Sequence, residues 1–162
     1  MLRMIRGLEQ RVDADTRDLI FRGLFSSIFL GLGSEHLLDD HVIQHLMPAW
    51  VEYRVLASRA SGILLLLGGL SILTGYRMQL GARLLGAFLA VVTVTVHVPG
   101  CFTVPPDIPA DSAWLWTVFQ RSNLVKNLCL FGVCVHLTTL APGRFSVDAW
   151  LARKRERSAR AQ

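Results

Sequence analysis

The chain has 162 residues, a length that fits one domain. Hydrophobic residues make up 52% of it and the mean hydropathy is +0.42, which excludes a small soluble domain. The charged residues are concentrated at the ends of the chain and in the loops. The net charge is +5, but the basic excess lies largely in the C-terminal segment, where it is typical of contact with lipid headgroups. We therefore expect the lipid bilayer, and not nucleic acid, as a partner.

Residues 1–17 alternate charged and apolar side chains, which predicts a short amphipathic helix on the membrane surface. The first apolar run begins only near Leu19, so a cleavable signal peptide is not expected. Four apolar blocks follow at about residues 18–38, 55–76, 81–101 and 122–140. At about 1.5 Å per helical residue, each block spans a hydrocarbon core of about 30 Å. The sequence therefore predicts an all-α membrane four-helix bundle over residues 18–141, followed by a basic cytoplasmic tail over 142–162.

Basic residues predict the orientation of this bundle. If the N-terminus is cytoplasmic, the inner segments carry 12 Arg and Lys residues and the outer segments carry only 4, namely Arg54, Arg59, Arg121 and Lys126. Because cytoplasmic segments carry the basic excess in membrane proteins, both termini are predicted to be cytoplasmic.

Small residues recur every four positions in two of the blocks, a spacing that lets membrane helices approach closely. The members are Gly23, Ser27 and Gly31 in the first block and Ala82, Gly86 and Ala90 in the third. Gly62, Gly68 and Gly69 offer similar surfaces in the second block. We expect these faces to pack together in the bundle.

Polar residues gather near the predicted outer ends of the four blocks, where each needs a partner or a use. They are Glu35, His36, Arg59, His97, Asn123, Lys126 and Asn127. One interpretation is structural, with Glu35 pairing with Arg59 or Lys126 and His97 bonding across the bundle. Another is a pocket for a quinone, a lipid headgroup or a small polar molecule, in which His97 donates or accepts a proton.

A metal site is the third interpretation of the outer end. His41 and His45 are four residues apart and share a helix face, and Asp40 adds an oxygen ligand. His36 and His97 are further donors. No zinc signature, haem motif, nucleotide loop or Ser-His-Asp spacing is present, so no catalytic residue is predicted.

Two further polar residues fall inside the blocks, Arg22 in the first and His136 in the fourth, at similar predicted depths. Their spacing leaves open whether they face each other. The simpler expectation is that Arg22 extends to the inner headgroups.

The sequence resembles the DoxX family of small bacterial membrane proteins in several short stretches. The first block reads LIFRGLFSSIFLGLGSEHLL with Arg22 in its inner half, and Gly33 and His36 precede Met47-Pro48 and SGILLLLGGLSILTG. The third block ends in His97 and the fourth begins NLVKNLCLFG. Relatives often carry a glutamate just after the Ser-Gly position, where this chain has apolar residues after Gly62.

The resemblance implies a four-helix bundle in a bacterial inner membrane. The absence of a catalytic motif and the small-residue packing faces favour an accessory subunit of a membrane redox or stress-response complex, without autonomous catalysis. Such a subunit is expected to bind partner subunits or further copies of itself. The alternative is a quinone-binding or small-molecule-binding oxidoreductase subunit that uses the outer polar residues.

Overall fold

The computed structural model describes residues 13–39, 41–48, 50–106 and 108–160, without the side chains of residues 42, 45 and 46. Within these ranges the chain forms helices and turns and no β-strand, so the all-α prediction is confirmed. The helices are α1 Ala14–Leu38, α2 His41–Leu46, α3 Arg54–Thr74, α4 Met78–Val92, α5 Ala113–Leu137 and α6 Val147–Arg160. Helix α4 continues through a π-turn, Thr93–His97, and a last helical turn, Val98–Gly100.

Two helices begin earlier than the apolar blocks suggest. Helix α1 starts at Ala14 because the carboxylate of Asp13 accepts a hydrogen bond of 2.7 Å from the backbone N–H of Thr16, which caps the first turn. Helix α5 starts at Ala113, well before the predicted residue 122, because a 3-10 turn at Ala110–Ser112 leads directly from Pro109 into it. The amphipathic helix predicted for residues 1–17 lies mostly outside the described residues.

Glycines bring α1 and α3 together in antiparallel orientation. A Cβ atom on Gly62 would lie 2.8 Å from the Cβ of His36, and one on Gly69 would lie 3.2 Å from the Cβ of Phe29. Later residues of α3 thus contact earlier residues of α1, as expected for antiparallel helices. Close approach of the two backbones at Gly33 and Gly62 leaves no room for a side chain at either residue.

The same antiparallel arrangement continues through α4 to α5. Gly68 of α3 packs against Leu85 of α4. Gly86 of α4 lies beside Cys134 of α5, and Gly100 lies beside Gln120. The main helix contacts thus run from α1 to α3, from α3 to α4 and from α4 to α5. We call the end that carries the start of α1 and α6 the inner end, and the opposite end the outer end, following the predicted orientation.

The buried face of α1 differs from the small-residue stripe expected to pack. Ser27 and Gly31 are exposed, and a Cβ atom on Gly23 or Gly31 would meet no atom within 4 Å. The buried residues of α1 are Arg22, Ser26, Phe29 and Gly33. The expectation for the first stripe is therefore wrong, since the bulk of Phe29 and the close approach at Gly33 select the neighbouring face. The stripe on α4 does pack, with Ala82 and Gly86 both buried.

Two helical segments of the described chain, Arg54–Thr74 and Met78–Gly100, are long and apolar enough to cross a membrane. Only 33% of each apolar stretch is buried inside the protein. A core helix of a soluble protein is mostly buried, so these two helices give weak support to a membrane protein.

Candidate functional site at the outer end

A cavity of about 540 Å³ lies at the outer end, between the start of α3, the end of α4 and the start of α5. Its volume is in the range of small-molecule sites. Most of its walls are apolar and come from Met47, Trp50, Val96, Pro99, Val104 and Trp116. Its principal polar side chains are Arg54 and Gln120. The cavity therefore suits a molecule with a large apolar part and a small polar one.

The π-turn forms one wall of this cavity, and Pro99 explains its position. Proline has no N–H and its ring collides with the carbonyl four residues earlier, so the turn before Pro99 must widen. The N–H of Val98 accordingly bonds the carbonyl of Thr93, five residues back. Thr95 and Val96 of the widened turn line the cavity.

His97, the last residue of the π-turn, holds the side chain of Gln120. Its Nδ1 lies 2.8 Å from Oε1 of Gln120. Because an amide oxygen only accepts hydrogen bonds, Nδ1 carries the proton that is shared, and in the neutral ring Nε2 is left as an acceptor. Gly100 makes this contact possible, since a Cβ atom there would lie 2.7 Å from Cδ of Gln120.

Gln120 lines the cavity with its side chain almost completely buried. Gln120 is 1% exposed, and its bond to His97 is the single hydrogen bond of its side chain within the described residues. No fully enclosed side-chain nitrogen or oxygen in this part of the chain lacks a hydrogen-bond partner. The unpartnered Nε2 of Gln120 is therefore reached from open space, and Gln120 lines the cavity.

Trp116 fixes the loop that closes one side of the cavity. Its Nε1 donates to the carbonyls of Gly100 and Thr103, both at 3.0 Å. These bonds tie the start of the proline-rich loop to the first turns of α5. The ring of Trp116 thus becomes a fixed cavity wall.

The outer polar residues predicted from the sequence lie in separate groups. Nδ1 of His36 on α1 lies 3.0 Å from Oγ of Ser58, which is fully buried on α3. Glu35 and Arg59 are both exposed. Every ion pair within the described residues involves Arg22 or Arg144, so the expected pairing of Glu35 with Arg59 or Lys126 is not made there.

The predicted residues of α5 divide in the same way. Nζ of Lys126 donates to Oδ1 of Asn123 at 2.6 Å, a contact within one helix. Asn127 is buried seven residues after Gln120 and seven before Cys134, on the face of α5 that packs against α4. None of the predicted outer polar residues is among the lining residues of the cavity. His97 is connected to it through the hydrogen bond with Gln120.

No group of three or more His, Cys, Asp or Glu residues in the described part of the chain is placed to hold a metal ion. His41 is exposed at the start of α2. Asp40 and the side chain of His45 lie outside the described residues. The metal interpretation stays a prediction.

At the inner end, Arg22 does not extend to the surface as expected. It is 0% exposed, and its Nε pairs with the carboxylate of Asp18 at 2.8 Å. Its Nη1 donates to the carbonyl of Leu73 at 2.6 Å, and its Nη2 donates to that of Phe145 at 2.8 Å. Arg22 thereby ties α1 to the end of α3 and to the loop before α6. His136 is exposed and is not among these partners.

Sequence reasoning did not select Arg54, Trp116 or Gln120 for the site. Gln120 lies two residues before the predicted fourth block, so the apolar pattern does not indicate its burial. The signal available was Pro99-Gly100, which begins two residues after His97 and indicates a widened turn followed by a residue that admits a neighbouring side chain.

No family model, no curated protein and no solved structure matches the chain. The resemblance to the DoxX family therefore stays a prediction.

Proposed function

We propose that this chain is a four-span membrane protein that binds a small lipophilic molecule in its outer cavity. Helices α1 and α5 join α3 and α4 in crossing the membrane, and both termini are cytoplasmic. The observation that carries the binding function is the buried amide of Gln120, whose Nε2 borders a largely apolar cavity without a partner in the described chain.

Exposed apolar side chains support the two additional spans. Leu24 on α1 and Val125, Leu128 and Val135 on α5 are all exposed. Arg22, the charged residue nearest the middle of α1, is bonded within the protein and does not face the surrounding medium. This removes the largest cost of placing α1 in lipid.

The orientation is tested by single cysteines in a variant from which Cys101, Cys129 and Cys134 have been removed. A cysteine at Ser158 and one at Thr103 are labelled with a membrane-impermeant maleimide on intact cells. We expect labelling at residue 103 only. Labelling at residue 158 but not 103 overturns the orientation, and labelling at both overturns the number of spans.

Ligand binding is tested with 5-fluorotryptophan and ¹⁹F NMR on the full chain in phospholipid nanodiscs. Of the 4 tryptophans, Trp50 and Trp116 line the cavity, whereas Trp114 and Trp150 do not. Duroquinone and decanoate serve as probes of two chemical classes. A saturable shift of Trp50 and Trp116 with either probe supports the proposal, and the absence of such a shift with both overturns it.

An accessory role in a membrane redox complex is the second function, predicted from the sequence. Among the described residues, none packs closely on the face of Gly23, Ser27 and Gly31, of which Ser27 and Gly31 are exposed. This favours contact with another helix. Purification from native membrane in mild detergent tests this, and the predicted result is co-purification of a redox subunit that is lost in G31L. Purification of the chain as an isolated monomer contradicts it.

A further inference from the structure

We infer that the molecule bound in the outer cavity is a carboxylate amphiphile, with its anionic oxygens on Arg54 and Gln120 and its hydrocarbon part against the apolar walls. This inference rests on the proposed function. It adds the chemical class of the ligand and assigns His97 a positioning role.

Among the described side chains that line the cavity, the unused N–H donors belong to Gln120 and Arg54. The oxygen of Gln120 is taken by His97, so its NH₂ group faces the ligand. The hydroxyl of Thr95 already donates to the carbonyl of Val91 at 2.7 Å, and the indole N–H of Trp116 is bonded to two carbonyls. A ligand group that meets Gln120 and Arg54 must therefore accept hydrogen bonds.

The charge of the cavity adds a second constraint. Arg54 lines the cavity, is half-buried, and its one hydrogen bond is a long one of 3.3 Å to the carbonyl of Gln44. Among the described residues, no Asp or Glu lines the cavity and Arg54 belongs to no ion pair. Because charge-assisted hydrogen bonds from a guanidinium are strongest to an anionic oxygen, a carboxylate complements this site better than a neutral carbonyl.

The remaining walls specify the rest of the ligand. Trp50, Val96, Pro99 and Trp116 surround the cavity with apolar surface, and burial of apolar area contributes about 25 cal/mol per Å². A hydrocarbon chain gains from this contact, whereas a small hydrophilic anion does not. Together the donors, the cation and the walls select an amphiphile with one acidic end.

Decanoate and decanol form a matched probe pair, equal in chain length and different in the charged end. In ¹⁹F titrations of Trp50 and Trp116, wild-type protein in zwitterionic nanodiscs is expected to bind decanoate about tenfold more tightly than decanol. The R54M variant should lose this preference. The R59M variant is the control, because Arg59 is exposed on α3 and does not line the cavity, and it should keep the preference.

The positioning role of His97 is tested through the ratio of the affinities for decanoate and decanol. In H97A the amide of Gln120 loses its anchor, so the preference for decanoate should fall, and H97N should restore part of it by donating to Oε1. Equal affinities for decanoate and decanol in wild type overturn the inference and leave the proposed function standing. Loss of the preference in R59M as well as R54M also overturns it. If neither these probes nor duroquinone shifts Trp50 and Trp116, the proposed function itself fails.

Discussion

The two ends of the bundle treat buried polar groups in opposite ways. At the inner end, Arg22 is fully buried and each of its three nitrogens is bonded to a carboxylate or a carbonyl of the same chain. At the outer end, Gln120 is as deeply buried, but its NH₂ group borders a cavity. The inner end is therefore held together by bonds within the chain, whereas under the proposed function a ligand completes the outer end.

The largest expected loss of stability comes from replacing Arg22 at the inner end. Replacing Arg22 by methionine removes the donors of the Leu73 and Phe145 carbonyls and leaves Asp18 with the N–H of Gly143 as its partner. Removing one partner of a buried pair costs about 3–5 kcal/mol, and R22M should lower the free energy of unfolding by about that amount. The matched control is R17M, since Arg17 is exposed on the same helix. Equal unfolding free energies for the two variants would show that Arg22 does not hold the inner end.

The next effect tests the turn between α3 and α4. Gly75 has φ of 66°, and a Cβ atom there would lie 2.5 Å from the Cβ of Ser146 and 3.1 Å from Nη1 of Arg22. Alanine is strained at this left-handed φ, and its Cβ would displace the loop that carries Ser146. The free energy of unfolding of G75A should therefore be lower by about 2–3 kcal/mol. G31A is the control and should be neutral or stabilising, because Gly31 is exposed within a helix. Chemical unfolding measures the free energy of unfolding of both variants, and an equal effect of G75A and G31A would contradict this prediction.

A smaller effect probes the outer end. In G100A the new Cβ atom would lie 2.7 Å from Cδ of Gln120 and push this side chain away from His97. The neighbour is a side chain that can rotate, so the loss of stability should be about 1–2 kcal/mol. The loss of ligand affinity should be larger than in G132A, because nothing lies within 4 Å of a Cβ on Gly132. Unchanged ligand affinity in G100A would show that Gln120 does not contribute to ligand binding.

The smallest effect concerns the first turn of α1. Hydrogen bonds from Thr16, together with the positive charge of Arg144, lower the pKa of the Asp13 carboxyl below its usual value. A depressed folded-state pKa means that this stabilisation is present above the unfolded-state pKa and is lost as the pH falls through the folded value. Thermal unfolding between pH 7 and pH 3 should therefore show a slightly smaller loss for D13N, in which asparagine still caps the helix. An identical pH dependence would contradict this.

Much of the helical framework could be predicted from the sequence. The apolar blocks at 55–76 and 81–101 lie within a few residues of the helical segments Arg54–Thr74 and Met78–Gly100. Their length and composition are sufficient, since hydrocarbon requires a closed helical backbone. The start of α5 was missed because Trp114–Phe119 follows a proline-rich stretch, and apolar content does not show where a turn becomes a helix.

The sites were harder to predict because they depend on contacts between helices. The burial of Arg22 had a sequence signal, an aspartate four residues earlier on the same helix face. Its bond to Phe145 joins residues 123 positions apart in sequence and has no local signal. At the outer end, one interpretation of the sequence has His97 bonding across the bundle, whereas the identity of its partner, Gln120, depends on the π-turn and on Gly100.

The central contrast is tested most directly by one ¹⁹F titration of 5-fluorotryptophan protein with decanoate in nanodiscs. The account predicts saturable shifts of Trp50 and Trp116 at the outer cavity and an unchanged signal from Trp150 in α6 at the inner end. Equal, non-saturating shifts of all the tryptophans would contradict it, because they would show partition into the bilayer without a binding site.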